Sequence, residues 1–234
     1  MGGAEPTEHR GRLADRHALV TSSIPPHAGQ PVARAGVPLA EARAAVIMVH
    51  GRGAGPANIL DLVPHIGHPG VCYLAPAASG GTWYPKSFMA PTEENEPGIS
   101  SGISVVHALI DEVIAAGVTS DRVMLLGFSQ GACLTSTSAH RRPDQYGGVI
   151  VFSGGLIGPP GTAWTEQGSF RSTPVFFGCS DTDPHVPETR VRESAAVFER
   201  MGAAVTTRIY PGMGHLVNDD ELSFARDLLS QLAA

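Results

Sequence analysis

The feature that most constrains this chain is a repeated one: short, unbroken apolar runs, each cut off by glycine or a polar turn. Ala45-Val46-Ile47-Met48-Val49 carries no polar gap and ends at His50-Gly51. A strand with one wet face would alternate, so such a run is expected to be covered on both faces, as in a parallel sheet. The pattern returns at residues 71–75, 123–128, 148–152 and 174–177, with a less apolar run at 205–210. Helical stripes lie between them. Ile99, Ile103, Val106, Ile110, Val113 and Ile114 recur at steps of three or four and stop at Gly117. Residues 130–140 are small and follow a strand directly. Residues 188–201 set Val191, Ala195 and Phe198 on one face. Residues 218–232 open on a capping Asn218 with an acidic first turn, then place Leu222, Ala225, Leu228 and Leu229 together. Strand–helix alternation predicts an α/β fold: a mostly parallel central sheet with right-handed crossovers and helices on both faces.

At 234 residues, with neither an internal repeat nor a linker, the chain is expected to form a single domain over residues 11–234 behind a flexible N-terminal tail, residues 1–10. Prolines at 25, 26, 31 and 38 make the segment from 18 to 39 an edge strand or hairpin rather than a helix. A formal charge of −6 without any Lys/Arg cluster argues against a nucleic-acid partner. No unbroken apolar run approaches the length of a membrane span, and no basic-then-apolar leader opens the chain. Cys72, Cys133 and Cys179 are odd in number and far apart, so they read as reduced core thiols, and the expected compartment is cytoplasmic. His65 and His68 with Asp61 lack a zinc-type motif and are interrupted by Pro64 and Pro69; neither a metal nor a cofactor is expected.

Chemistry concentrates in three places. Gly127-Phe128-Ser129-Gln130-Gly131 sits between a buried strand and a small-residue helix, where a nucleophile elbow needs to be. A serine hydroxyl is a weak nucleophile, so it needs a base, and the base needs an orienting acid. After the 174–177 strand come Asp181 and Asp183, between which spacing does not choose. After the 205–210 strand comes Gly212-Met213-Gly214-His215, placing His215 as general base just before the last helix. The loop His50-Gly51-Arg52-Gly53 and the residue after the serine are the expected sources of two oxyanion-binding backbone N–H groups, those of Arg52 and Gln130. That glycine-rich string lacks the Lys-Ser/Thr of a phosphate loop and the Gly-x-Gly-x-x-Gly spacing of a dinucleotide site. The Arg52 side chain has two readings, a clamp for a substrate carboxylate or a solvent-facing loop residue. The long stretch at 79–98, holding Glu93, Glu94 and Glu96, is expected to rim the site and there to disfavour anionic substrates.

Over residues 45–232 the chain resembles the phospholipase/carboxylesterase family, the acyl-protein thioesterase-like branch of the α/β-hydrolases. His50-Gly51-Arg52-Gly53, Gly127-Phe128-Ser129-Gln130-Gly131, Asp183-Pro184-His185-Val186-Pro187 and Gly212-Met213-Gly214-His215 carry the resemblance. It implies an α/β-hydrolase fold without a large cap domain, Ser129 as nucleophile, Asp183 as the acid and His215 as the base. It also implies Trp83 in the acyl pocket, with Phe88, Met89 and Leu156 as further pocket candidates. The implied activity is hydrolysis of short- to medium-chain carboxylic esters, with thioesters or lysophospholipids as the alternative and a non-catalytic binding protein as the rival from another class. The implied partner is a small-molecule ester; a homodimer is compatible with the sequence.

Overall fold

The computed structural model describes Ala18–Leu19 and residues 24–234; the expected tail, residues 1–10, lies outside the described residues. Eight strands form one sheet: β1 (Ala18–Leu19), β2 (Pro31–Gly36), β3 (Ala44–Val49), β4 (Val71–Pro76), β5 (Val123–Phe128), β6 (Gly148–Phe152), β7 (Pro174–Ser180) and β8 (Ala204–Tyr210). Their order is β1-β2-β4-β3-β5-β6-β7-β8. The β1–β2 and β2–β4 pairs are antiparallel and the rest parallel, so the proline-rich segment does form an edge hairpin.

Alternation along each strand divides the core in two. Ala45, Ile47 and Val49 of β3 face one layer together with Val123 and Leu125 of β5. Helices α3 (Gly98–Ala115), α4 (Gln130–Arg141) and α5 (Glu188–Arg200) cover that layer. Ala44, Val46 and Met48 face the other layer, covered by α1 (Pro56–Leu60), α2 (Val63–Ile66) and α6 (Asp219–Leu232). This two-sided cover is why the strands read as unbroken apolar runs. The mixed sheet with helices on both faces, and no large cap among the described residues, is the α/β-hydrolase architecture.

Two expectations need correction. Ile114 is left exposed, because Val113 takes the core-facing position in the last turn of α3 and the next residue is rotated off that face. Helix α3 also has the length and average apolarity of a membrane span, which counting unbroken runs misses. Its Ile99, Ile103, Val106, Ile110 and Val113 are buried in the core. The C-terminal ends of β3, β5 and β7, with the loop after β8, converge on one edge of the sheet, where ligands bind in open α/β folds.

Candidate active site

Ser129 occupies the turn between β5 and α4 with φ 56° and ψ −122°, a left-handed conformation that a serine adopts only under constraint. Its N–H donates to Phe152 O at 3.0 Å and its carbonyl accepts from Cys133 N–H at 3.0 Å. The flanking glycines make the turn sterically attainable. A Cβ on Gly131 would lie 2.1 Å from Val49 O, and one on Gly127 would lie 2.5 Å from Gly131 O. The helix therefore approaches the sheet closely enough to lift the hydroxyl above the strand ends.

His215 lies on the loop between β8 and α6, its ring tilted against that of Phe128 with centroids 5.0 Å apart. Its Nε2 accepts from Ser129 Oγ at 2.8 Å, and its Nδ1–H donates to Asp183 Oδ2 at 2.7 Å, a tautomer set by that network. The Asp183 side chain is fully buried, and its Oδ1 accepts from the N–H groups of His185 and Val186 at 2.8 and 3.0 Å. Burial works against its charge, but the His215 and backbone hydrogen bonds outweigh it and hold the carboxyl below its ordinary range. Geometry thus separates the two aspartates that spacing leaves open. Asp181 Oδ1 accepts from Gly212 N–H at 2.8 Å, and Ser180 Oγ accepts from Gly214 N–H at 3.0 Å, so these residues brace the turn that carries His215. Helix α6 then starts on Asn218 with a reciprocal capping box to Glu221.

The backbone N–H groups of Arg52 and Gln130 have no hydrogen-bond partner among the described residues. Gln130 is the first residue of α4, so its amide belongs to the positive end of the helix dipole. The loop beneath Arg52 is held by a cluster that sequence reasoning missed. The buried side chain of Gln130 accepts from Trp83 N–H at 2.9 Å through Oε1 and donates to Tyr84 O at 2.8 Å through Nε2. Trp83 Nε1–H donates to His50 O at 2.9 Å, and the indole lies between the rings of His27 and His50. His50 Nε2 accepts from Ala78 N–H at 3.1 Å and His27 Nδ1 from Ser79 N–H at 3.0 Å, which makes both rings neutral acceptors. Burial lowers both pKa values, more than their hydrogen bonds to backbone carbonyls raise them. The Arg52 guanidinium spans to the carbonyls of Pro85 at 2.8 Å and Lys86 at 2.5 Å.

A cavity of about 720 Å³ opens over Ser129, Gln130 and His215. Phe88 lines it, with Ile59, Tyr84, Phe128, Cys133 and Val186. Trp83, Met89 and Leu156 do not. Trp83 is locked behind the 50–53 loop, Met89 packs against the core, and Leu156 is buried beside Arg190 and Ser194 of α5. The 79–98 stretch does supply a rim, through residues 84–88, but its glutamates are absent from the lining. Glu93 and Glu94 face solvent, and Glu96 accepts from Ser100 N–H and Oγ–H at the start of α3. The three cysteines are free and buried, and burial raises the Cys133 and Cys179 thiols to about 12. No metal-type cluster occurs among the described residues.

Residues 36–233 match the model of the phospholipase/carboxylesterase family. The chain is 29% identical over 209 residues to an Arabidopsis thaliana protein named probable carboxylesterase SOBER1-like, covering 81% of this chain and 79% of that one. It is 31% identical over 131 residues to acyl-protein thioesterase 1 of Gibberella zeae, covering 55% and 56%. The crystal structure of a phospholipase/carboxylesterase from Dyadobacter fermentans superposes with a TM-score of 0.82 at 36% identity, over 94% of this chain and 100% of that one. The Bacillus cereus carboxylesterase shares the fold at a TM-score of 0.70 and 15% identity.

Proposed function

The chain belongs to the phospholipase/carboxylesterase family of ester-hydrolysing serine hydrolases, and from that premise we propose that it cleaves short- to medium-chain carboxylic esters with a Ser129–His215–Asp183 triad. The observation that carries this reading is the single imidazole hydrogen-bonded at one nitrogen to Ser129 Oγ and at the other to the buried Asp183.

His215 Nε2 takes the Ser129 proton as Oγ adds to the ester carbonyl. Asp183 holds the ring in position and stabilises the imidazolium. The oxyanion forms against the Arg52 and Gln130 amides, where fixed donors need no reorganisation. His215 then gives its proton to the departing alkoxide, which leaves as the alcohol and an acyl-Ser129. Water, deprotonated by the same nitrogen, repeats the addition and releases the acid. The cavity volume lies within the span usual for small-molecule sites, and Phe88, Tyr84 and Val186 give it an apolar wall for an acyl chain.

Initial rates on p-nitrophenyl acetate, butyrate and octanoate, beside an acyl-CoA, test the reading. Ser129→Ala is expected to lose about 10⁶-fold in kcat, as for other serine triads, together with its labelling by a fluorophosphonate. Turnover that survives in Ser129→Ala would overturn the assignment, and a preference for the thioester would move the substrate to the acyl-thioester class.

A further inference from the structure

The 15 arginines of this chain are accompanied by a single lysine, Lys86, and it stands at the mouth of the cavity. We propose that Lys86, set in place by Arg52, selects esters that carry an anionic group, a carboxylate docked at the cavity mouth while the ester reaches Ser129. This deepens the serine-esterase reading and rests on it.

Three observations converge. First, the cavity lining includes Arg52 and Lys86 and no aspartate or glutamate. The carboxylates of the neighbouring segments stay out of that lining: Glu96 is engaged with Ser100, Asp183 lies behind His215, and Glu93 and Glu94 face solvent. On a chain of net charge −6, a cavity lining that carries Arg52 and Lys86 and no carboxylate concentrates anions there.

Second, the cations elsewhere are mostly paired. Arg34 meets Glu112, Arg142 meets Asp111, Arg192 meets Glu188, Arg200 meets Glu166 and Arg208 meets Asp220. Arg52 and Lys86 have no carboxylate partner among the described residues.

Third, the lysine backbone is fixed although its ammonium has no partner among the described residues. Lys86 N–H donates to Asn95 Oδ1 at 2.8 Å and its carbonyl accepts from Arg52 at 2.5 Å. Arg52 spends two of its five N–H groups on backbone carbonyls, leaving donors beside the same opening. A loop anchored at both backbone groups presents its charge at a defined place instead of sweeping solvent, and less ordering entropy is lost when an anion docks.

The anion can sit on either side of the ester bond, so the test has two arms. Monomethyl adipate is compared with methyl hexanoate for the acyl side. The butyryl ester of glycolate is compared with propyl butyrate for the alcohol side. Both pairs are followed by pH-stat in the wild type, Lys86→Gln and Lys86→Arg. In at least one arm the anionic ester should have about tenfold the kcat/KM of its neutral partner, a ratio set by one charge-assisted contact. That ratio should collapse towards one in Lys86→Gln, recover in Lys86→Arg and shrink with added salt. Calorimetric titration of monomethyl adipate and butyryl glycolate into Ser129→Ala reads the same site without turnover. If wild type hydrolyses none of the esters, the esterase reading fails while the calorimetry still decides on the anion site. Anionic esters no better than neutral ones in both arms, or a preference unmoved by Lys86→Gln, would overturn the proposal.

Discussion

The two halves of this site are built by different physics. The elbow at Ser129 is held by backbone sterics: a left-handed serine, and glycines at 127 and 131 where any Cβ would strike a carbonyl. The oxyanion loop and rim opposite it are held by side chains reaching backbone groups: His27, His50, Gln130 and Arg52, each satisfying one or two amides or carbonyls of residues 78–86, and Trp83, whose indole N–H donates back to His50 O. A backbone-made turn is all-or-none, since one methyl displaces a strand. A side-chain-made loop can be loosened one hydrogen bond at a time. The loop that shapes the substrate site is therefore the part free to vary in small steps.

The largest expected effect comes from adding a methyl to the elbow. Gly131→Ala would set Cβ 2.1 Å from Val49 O and 2.5 Å from His50 O, both backbone atoms that cannot yield without moving β3. The cost should exceed the ~1–3 kcal/mol usual for overpacking, and the protein should fail to fold or lose all esterase activity. Gly53→Ala is the control on the other side. Its φ is +72° but nothing lies within 4 Å of the new Cβ, so about 1–2 kcal/mol of left-handed strain is expected and activity should persist. Melting temperatures of the two variants check the contrast; equal losses would refute it.

Next in size is Gln130→Ala. It leaves Trp83 N–H and Tyr84 O buried without partners, at a cost of about 1–3 kcal/mol. Because the same segment supports the loop carrying the Arg52 amide, kcat on a p-nitrophenyl ester should fall by roughly 10- to 100-fold. Gln130→Glu is the informative companion. It can still accept from Trp83 N–H but turns an oxygen towards Tyr84 O. Fluorophosphonate labelling that slows in both variants while the melting temperature falls by only a few degrees would mark Gln130 as a positioning residue.

How much of this was legible follows the same division. The elbow motif, the loop positions of Asp181, Asp183 and His215, and the strand and helix sequence all rest on local patterns, and Val123–Phe128 and Gly148–Phe152 appear with the bounds their apolar runs suggest. The rim was not legible, because its contacts span 28 to 56 residues of sequence separation and join side chains to backbone, where residue type gives no signal. Gln130 and His50 stand inside the motifs, yet the motifs assign Gln130 a purpose only through its backbone and His50 none. The family resemblance implies Trp83 in the acyl pocket, whereas its N–H groups fix it behind the 50–53 loop. The Arg52 side chain had two readings, and its actual partners are two carbonyls of the rim. One signal was available in the composition alone: a lone lysine beside Pro85.

Arg52→Ala sharpens the comparison from the rim side. The Arg52 amide stays in place while the carbonyls of Pro85 and Lys86 lose their donors, both in exposed loop backbone that water can serve. Stability should change by no more than about 0.5 kcal/mol. KM should rise several-fold with kcat nearly kept, since the wall moves and the triad does not. A drop in kcat with KM unchanged would instead mean that the side chain acts on the oxyanion loop itself.

The same contrast reaches pH, since a turn made only of backbone has no titration of its own. Glu221, fully buried at the start of α6, accepts from Asn218 N–H through Oε2 and leaves Oε1 without a partner among the described residues. Burial pushes its pKa from the ordinary 4.5 up to about 7, against the Asn218 hydrogen bond, with Asp220 adding to the rise. The folded protein therefore holds a proton there that the unfolded chain releases near 4.5. The stability this gives is full below that pH, is lost as pH rises to about 7, and stays lost above it. Asp183 runs the other way and in another window, its contribution falling away only below the ordinary carboxyl range. Glu221→Gln cannot ionise. The difference in melting temperature between variant and wild type should thus move in the variant's favour by several degrees from pH 5 to pH 8. The buried, neutral His27 and His50 contribute equally to both proteins and cancel in that difference. A difference that stays constant across the range would mean that Glu221 ionises in the folded protein as it does in the open chain, with its second oxygen reached by water.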